Sequence, residues 1–240
     1  MGESLLWSFL ICSILGADKE MVRCPPTLIS QAGGLSPELA FWRENFIARP
    51  SGSRDEVEPR AEDPVFLALY PPAGIAARIR NLAWDLRRKH GLRGWPVGRD
   101  CLHVSLHGVC RYGELTPGTL MAIGGGCAKI TVPAFLAGFD RVTGFAAREG
   151  FALALCGAEG VDGARALQAE LGDVLRGVGV SPVKRQIEPH VTLLYGPRGV
   201  DERLPEIRWT VTDFRLVCSL RGRRRHLPLA RWRLPEAPSR

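Results

Sequence analysis

One short pattern occurs twice in this chain of 240 residues: Leu102-His103-Val104-Ser105-Leu106 in the first half and Pro189-His190-Val191-Thr192-Leu193-Leu194-Tyr195 in the second. Both copies read His-x-Ser/Thr-Leu within runs of β-branched and apolar residues, the composition of a strand. Side chains alternate faces along a strand. His103 and Ser105 therefore point one way and His190 and Thr192 do the same, while Val104, Leu106, Val191 and Leu193 turn to a core. A single His-x-Ser/Thr on a strand is more often structural than catalytic. Two copies, each after a strand-helix unit, predict one site assembled from two similar lobes.

The surrounding pattern supports duplication. Val65 to Tyr70 reads as a strand ended by Pro71-Pro72, and Ala73 to His90 as a helix with Ile75, Ile79, Leu82 and Leu86 at helical spacing. Gly91 suits its C-cap. Gly118 to Cys127 is a weak helix ending in three glycines. Ile130 to Val142 and Gly150 to Cys156 read as strands, and Val161 to Val178 as the second long helix. After the His190 strand, Ile207 to Leu220 and His226 to Leu234 read as two more, joined by the basic turn Arg221 to Arg225. Strands outnumber helices and several are hairpin neighbours. This predicts an α+β fold of two pseudo-symmetric lobes, each an antiparallel sheet with a helix layer, with a cleft between them.

Residues 1–62 read as an extension and linker, 63–235 as the folded domain and 236–240 as a tail. Leu5 to Ala17 is apolar but too short for a comfortable membrane span, and Glu3 replaces the basic n-region of a secretion signal. It reads as an extension before the domain, with Met21 as an alternative start. One helix is expected around Pro37 to Ile47, and Arg49 to Asp63 has linker composition. Seven cysteines without a C-x-x-C pair argue against a disulfide framework or a thiolate zinc site, and for a reducing, cytoplasmic setting. The net charge is +7. It is unevenly spread, with 6 basic and 10 acidic residues up to Asp63 but 11 arginines and 5 acids from Arg198 onward. A basic body fits a polyanion such as RNA, or simply a solvated arginine-rich surface.

Two imidazoles and two hydroxyls in one cleft suit in-line displacement at a phosphodiester. One histidine takes a proton from water and the other gives one to the leaving oxygen, because imidazole titrates near neutrality. The hydroxyls donate to the non-bridging oxygens. No carboxylate–histidine cluster has metal-site spacing, so neither metal nor cofactor is expected.

With these residues in view, the chain resembles the 2H phosphoesterase superfamily, in particular the RNA 2′,3′-cyclic phosphodiesterases also known as 2′-5′ RNA ligases. The resemblance runs roughly from Pro64 to Leu234. It rests on Phe66 to Pro72, the two histidine motifs, Ile207-Arg208-Trp209 and Leu216 to Leu220. It implies the bilobal fold, hydrolysis of an RNA terminal 2′,3′-cyclic phosphate to a 2′-phosphate, His103 as proton donor and His190 as proton acceptor. Ser105 and Thr192 would sit on the phosphate. The expected partners are RNA ends or small cyclic-phosphate nucleotides, acting on a monomer with no membrane attachment. Reversible 2′-5′ ligation, or a binding module without turnover, are the alternatives.

Four departures carry further expectations. Ser105 keeps the hydroxyl of the commoner Thr but loses its methyl. Alternation puts His107 on the face of His103, as a third cleft imidazole or a cap on the strand end. Tyr195 stands where relatives contact the nucleobase, yet odd spacing from Thr192 turns it to the other face unless the strand ends first. Lys184 and Arg185 would line the cleft mouth. Arg223, Arg224 and Arg225 grip an RNA backbone or form a solvated turn, and His90 and His226 are read as bystanders.

Overall fold

The computed structural model describes residues 58–147, 150–157, 160–180 and 188–237. Arg185, Lys184, the apolar run from Leu5 and the helix expected at Pro37 to Ile47 lie outside them. The strands are β1 (Pro64–Leu69), β2 (Val104–Arg111), β3 (Phe135–Ala147), β4 (Gly150–Cys156), β5 (His190–Gly196), β6 (Glu202–Val211), β7 (Asp213–Leu220) and β8 (Arg225–Arg233). They form one antiparallel sheet in the order β6-β3-β4-β5-β2-β1-β7-β8. The helices are α1 (Ala73–Lys89), α2 (Pro117–Cys127) and α3 (Asp162–Gly177).

The sheet order is symmetric about its middle. Reading outward, β5, β4, β3 and β6 on one side match β2, β1, β7 and β8 on the other. The expected two lobes are thus the two halves of one sheet. Their junction is narrow, because β2 and β5 share the single pair Val104–Val191. The segment before β2 adds one more link, Val97 donating its N–H to the Leu193 carbonyl at 2.8 Å.

Each half repeats the same local sequence logic. α1 buries Ala76, Ile79, Ala83 and Leu86 along one stripe, and α3 buries Ala164, Leu167, Leu171 and Leu175 along another. Both helices end alike. Gly91 (φ 60°) and Gly179 (φ 76°) take the left-handed conformation that glycine allows. Leu92 then donates back to Arg87, and Val180 to Leu175, each closing a Schellman turn. In chain order each of these helices precedes a histidine strand, α1 before β2 and α3 before β5. α2 is weaker in sequence but is capped by Thr116, whose hydroxyl accepts from the Thr119 N–H at 3.1 Å. Its Gly126 lets it approach α3, since a Cβ there would come 2.4 Å from Val174.

One expected element divides. The run from Ile207 to Leu220 is two strands broken at Thr212, and they go to different halves. β6 pairs with β3, while β7 pairs with β1 and β8. The Thr212 carbonyl accepts from Leu234, which ties the crossing to the end of β8. β3 also starts later than its apolar run suggests, at Phe135 rather than Ile130.

Candidate active site

Val104 and Val191 are fully buried and face the helices. Continuing their antiparallel register by one residue sets Ser105 opposite His190 and His103 opposite Thr192. All four side chains therefore share the face away from the helices, where all four are partly exposed. Sheet geometry alone thus brings the two motifs together.

The two rings are held alike. His103 Nδ1 donates to the Cys101 carbonyl at 2.7 Å, and His190 Nδ1 to the Glu188 carbonyl at 2.8 Å, in both cases two residues upstream. A proton on Nδ1 leaves Nε2 as the atom that exchanges protons. Ser105 Oγ stands 3.0 Å from His103 Nε2. Burial pushes the His103 pKa below its ordinary value. The Cys101 carbonyl opposes this shift, and the charge of His190 adds to it.

A third histidine belongs to this cluster. His226, at the start of β8, packs edge-to-face against His103 with ring centroids 4.9 Å apart. The expectation that it is a bystander is corrected. Burial, followed by the nearby His103 charge, lowers its pKa to about 4. Tyr70 is held well above its usual value by burial first, so its phenol keeps its proton, and its oxygen is hydrogen-bonded to His226 Nδ1 at 2.7 Å. Phe66 flanks both rings, at 5.1 Å from His103 and 5.4 Å from His226. The Arg215 guanidinium lies over the Tyr70 ring at 5.1 Å. The basic turn is anchored close by, where Cys101 Sγ–H donates to the Arg224 carbonyl and the buried Asp63 accepts from the Arg221 N–H at 3.0 Å.

Two one-residue bulges decide where the flanking residues point. In β2, Ala68 pairs with Ser105 and Leu67 with His107, so Leu106 is an extra residue. His107 shares the helix-side face of buried Leu67, and its Nε2–H donates to the Gln168 carbonyl of α3 at 2.6 Å. The alternation that put His107 in the cleft is thereby overturned. In β5, Ala154 pairs with Thr192 and Leu153 with Leu194, so Leu193 is extra. Here the shift in parity brings Tyr195 onto the cleft face opposite Ala152. Phe145 of β3 pairs with Ala152 from the other side, and its ring lies 5.6 Å from His190. Tyr195 and Phe145, 59% and 39% exposed, therefore flank a small residue on one sheet face. Sequence reasoning missed Phe145, which stands on a strand without a motif. Glycine at 94 is required where the chain crosses β5, because a Cβ would meet the Tyr195 carbonyl oxygen at 1.7 Å.

No family model matches the chain, and no curated protein matches it. Solved structures do. E. coli LigT complexed with 3′-AMP is 27% identical, with a TM-score of 0.60 over 72% of this chain and 98% of LigT. The apo form of E. coli LigT gives 26% and 0.59 over 74% and 100%. A further phosphoesterase, at 24% identity and a TM-score of 0.60, shares the fold. The likeness is to phosphoesterase-type enzymes. With the fold of E. coli LigT spanned almost end to end, and a His-x-Ser/Thr strand on either side of the sheet's midline, the chain has the 2H phosphoesterase fold and is similar to that superfamily in its paired motifs.

Proposed function

We propose that the protein hydrolyses RNA terminal 2′,3′-cyclic phosphates to 2′-phosphates by acid–base catalysis between His103 and His190, without a metal ion. The supporting observation is the matched pinning of the two rings, each Nδ1–H on the carbonyl two residues upstream and each ring beside a hydroxyl on one sheet face. His190 Nε2 removes a proton from water as the water oxygen bonds to phosphorus. The bond from phosphorus to the 3′ oxygen breaks with its electron pair on that oxygen, and His103 Nε2–H protonates it. Ser105 and Thr192 donate to the non-bridging oxygens. The bound phosphodiester is an anion, and its charge favours the protonated form of His103 against the downward pull of burial. Tyr195, with Phe145 beyond Ala152, offers stacking surface to the terminal base. Arg185, five residues before His190 in the sequence, is a further phosphate contact in this reading, and the reaction takes place in the cytoplasm on a monomer.

The test is purified protein with an RNA ending in a 2′,3′-cyclic phosphate, in EDTA. A 2′-phosphate product is expected, and His103→Ala and His190→Ala should each cut turnover by about 10²–10⁴-fold. Turnover that survives either substitution sinks the proposal, and tight binding without turnover favours a binding module instead. The likeness to E. coli LigT supports a second reading, reversible 2′-5′ ligation or cleavage by the same four residues. Incubation with 2′-5′-linked oligonucleotides separates the two.

A further inference from the structure

Beside His103 lies a pocket of about 440 Å³ outside the paired motifs, large enough for one nucleotide. Tyr70 and His226 line it, and the same two rings lie 6.0 Å and 4.9 Å from the His103 ring. The rings that line the pocket are thus also rings packed beside His103. Arg99, Asp100, Arg215 and Pro228 are among its other lining residues.

We infer that this pocket is the subsite for the ribonucleotide immediately upstream of the RNA end. The inference rests on the reading of His103 as the acid. In an in-line displacement the leaving 3′ oxygen stands opposite the attacking water, hence on the His103 side. That oxygen belongs to the terminal ribose, whose 5′ phosphate leads to the preceding nucleotide. The chain therefore leaves the cleft past His103, where the pocket opens. Its chemistry matches a ribonucleotide better than a bare anion. Arg99 and Arg215 offer guanidinium N–H groups to a phosphate, with Arg215 steered by its Nε contact to Asp213 at 3.2 Å. The Asp100 carboxylate accepts from a ribose 2′-hydroxyl. His226, uncharged near neutral pH and hydrogen-bonded to the Tyr70 phenol through Nδ1, offers its ring as a neutral polar wall. Pro228 supplies apolar surface to the sugar.

The experiment compares kcat/KM for uridine 2′,3′-cyclic phosphate with that for the uridylyl-uridine dinucleotide ending in a 2′,3′-cyclic phosphate. The dinucleotide should be favoured by about 10–100-fold, as one charge-assisted contact gives. Arg99→Glu, at an exposed position, should abolish most of that preference. Added salt should weaken the preference, and so should a 2′-deoxy sugar in the upstream nucleotide alone. Equal kcat/KM for the two substrates, or a preference unchanged in Arg99→Glu, overturns the subsite while leaving the proposed reaction standing. Hydrolysis of neither substrate overturns the reaction itself. The substrate-side comparison uses only the unaltered protein and does not depend on any variant folding.

Discussion

At the scale of single residues, the proposed reaction divides the site into groups that would exchange protons and neighbours that set when they can. Burial pushes His103 down in the free protein, and in the proposed reaction the bound anion would push it back up. The pH dependence of kcat/KM reports the free protein, and that of kcat reports the complex. The proton donor is lost as pH rises through its pKa, so the alkaline limb should lie at higher pH in kcat than in kcat/KM. Coincident limbs would show that substrate charge does not act on the donor. His226→Ala opens one face of His103 to water and relieves the desolvation, which should move the alkaline limb of kcat/KM upward. His226→Phe, which keeps the packing, should leave that limb closer to its original place. Removing either hydroxyl, by Ser105→Ala or Thr192→Ala, should lower kcat by about 10²–10³-fold, as loss of a transition-state donor does. The paired motifs were legible because both lie on strands of plain alternating character. His226 was not, since its role depends on a contact from β8 to β2 that nothing near it in sequence announces.

At the scale of elements, a change of one residue in register outweighs any propensity. The bulges at Leu106 and Leu193 come one residue after Ser105 and Thr192 and invert the parity of all that follows. They put His107 under α3 and Tyr195 over the cleft, the reverse of strict alternation. No glycine or proline marks either bulge, so the sequence carried no sign of it. The same holds at Thr212, where an unbroken alternating run hides the passage from β6 to β7. The two matching helix ends were open to reading, because Gly91 and Gly179 each close a periodic apolar stripe. Gly94 is the most exacting position in the loops. Gly94→Ala places a methyl on the Tyr195 carbonyl and should lower stability by about 2–4 kcal/mol, read as a fall in the midpoint of denaturant unfolding. Tyr195 should be displaced with it, so KM should rise in the folded fraction.

For the whole molecule, the histidines also set how folding depends on pH. His226 has a pKa of about 4 in the folded chain and near 6.5 when unfolded. Between those values the unfolded chain binds more protons than the folded one. Stability from this group is therefore complete above about pH 6.5 and is lost as pH falls toward 4. The slope contributed by one such group is at most about 1.4 kcal/mol per pH unit. Thermal melts over that range should show a steepening decline that His226→Phe flattens, and an unchanged slope in that variant would remove His226 as its source. The lowered His103 adds in the same direction.

The junction of the two halves has a mechanical meaning. Each half is a well-hydrogen-bonded plate, but Val104 and Val191 are the only residues paired between β2 and β5. The histidines sit on either side of that pair and face each other across a gap that it spans, with the Val97–Leu193 and His107–Gln168 hydrogen bonds as further ties between the halves. A small tilt of one plate widens or narrows the gap while leaving each ring fixed on its own carbonyl. In the proposed reaction the sheet would work as a calliper, its jaws two imidazoles set to one thickness of phosphorus centre. Amide exchange at Val104 and Val191 should accordingly be faster than at Leu67 or Leu155, which lie inside the plates.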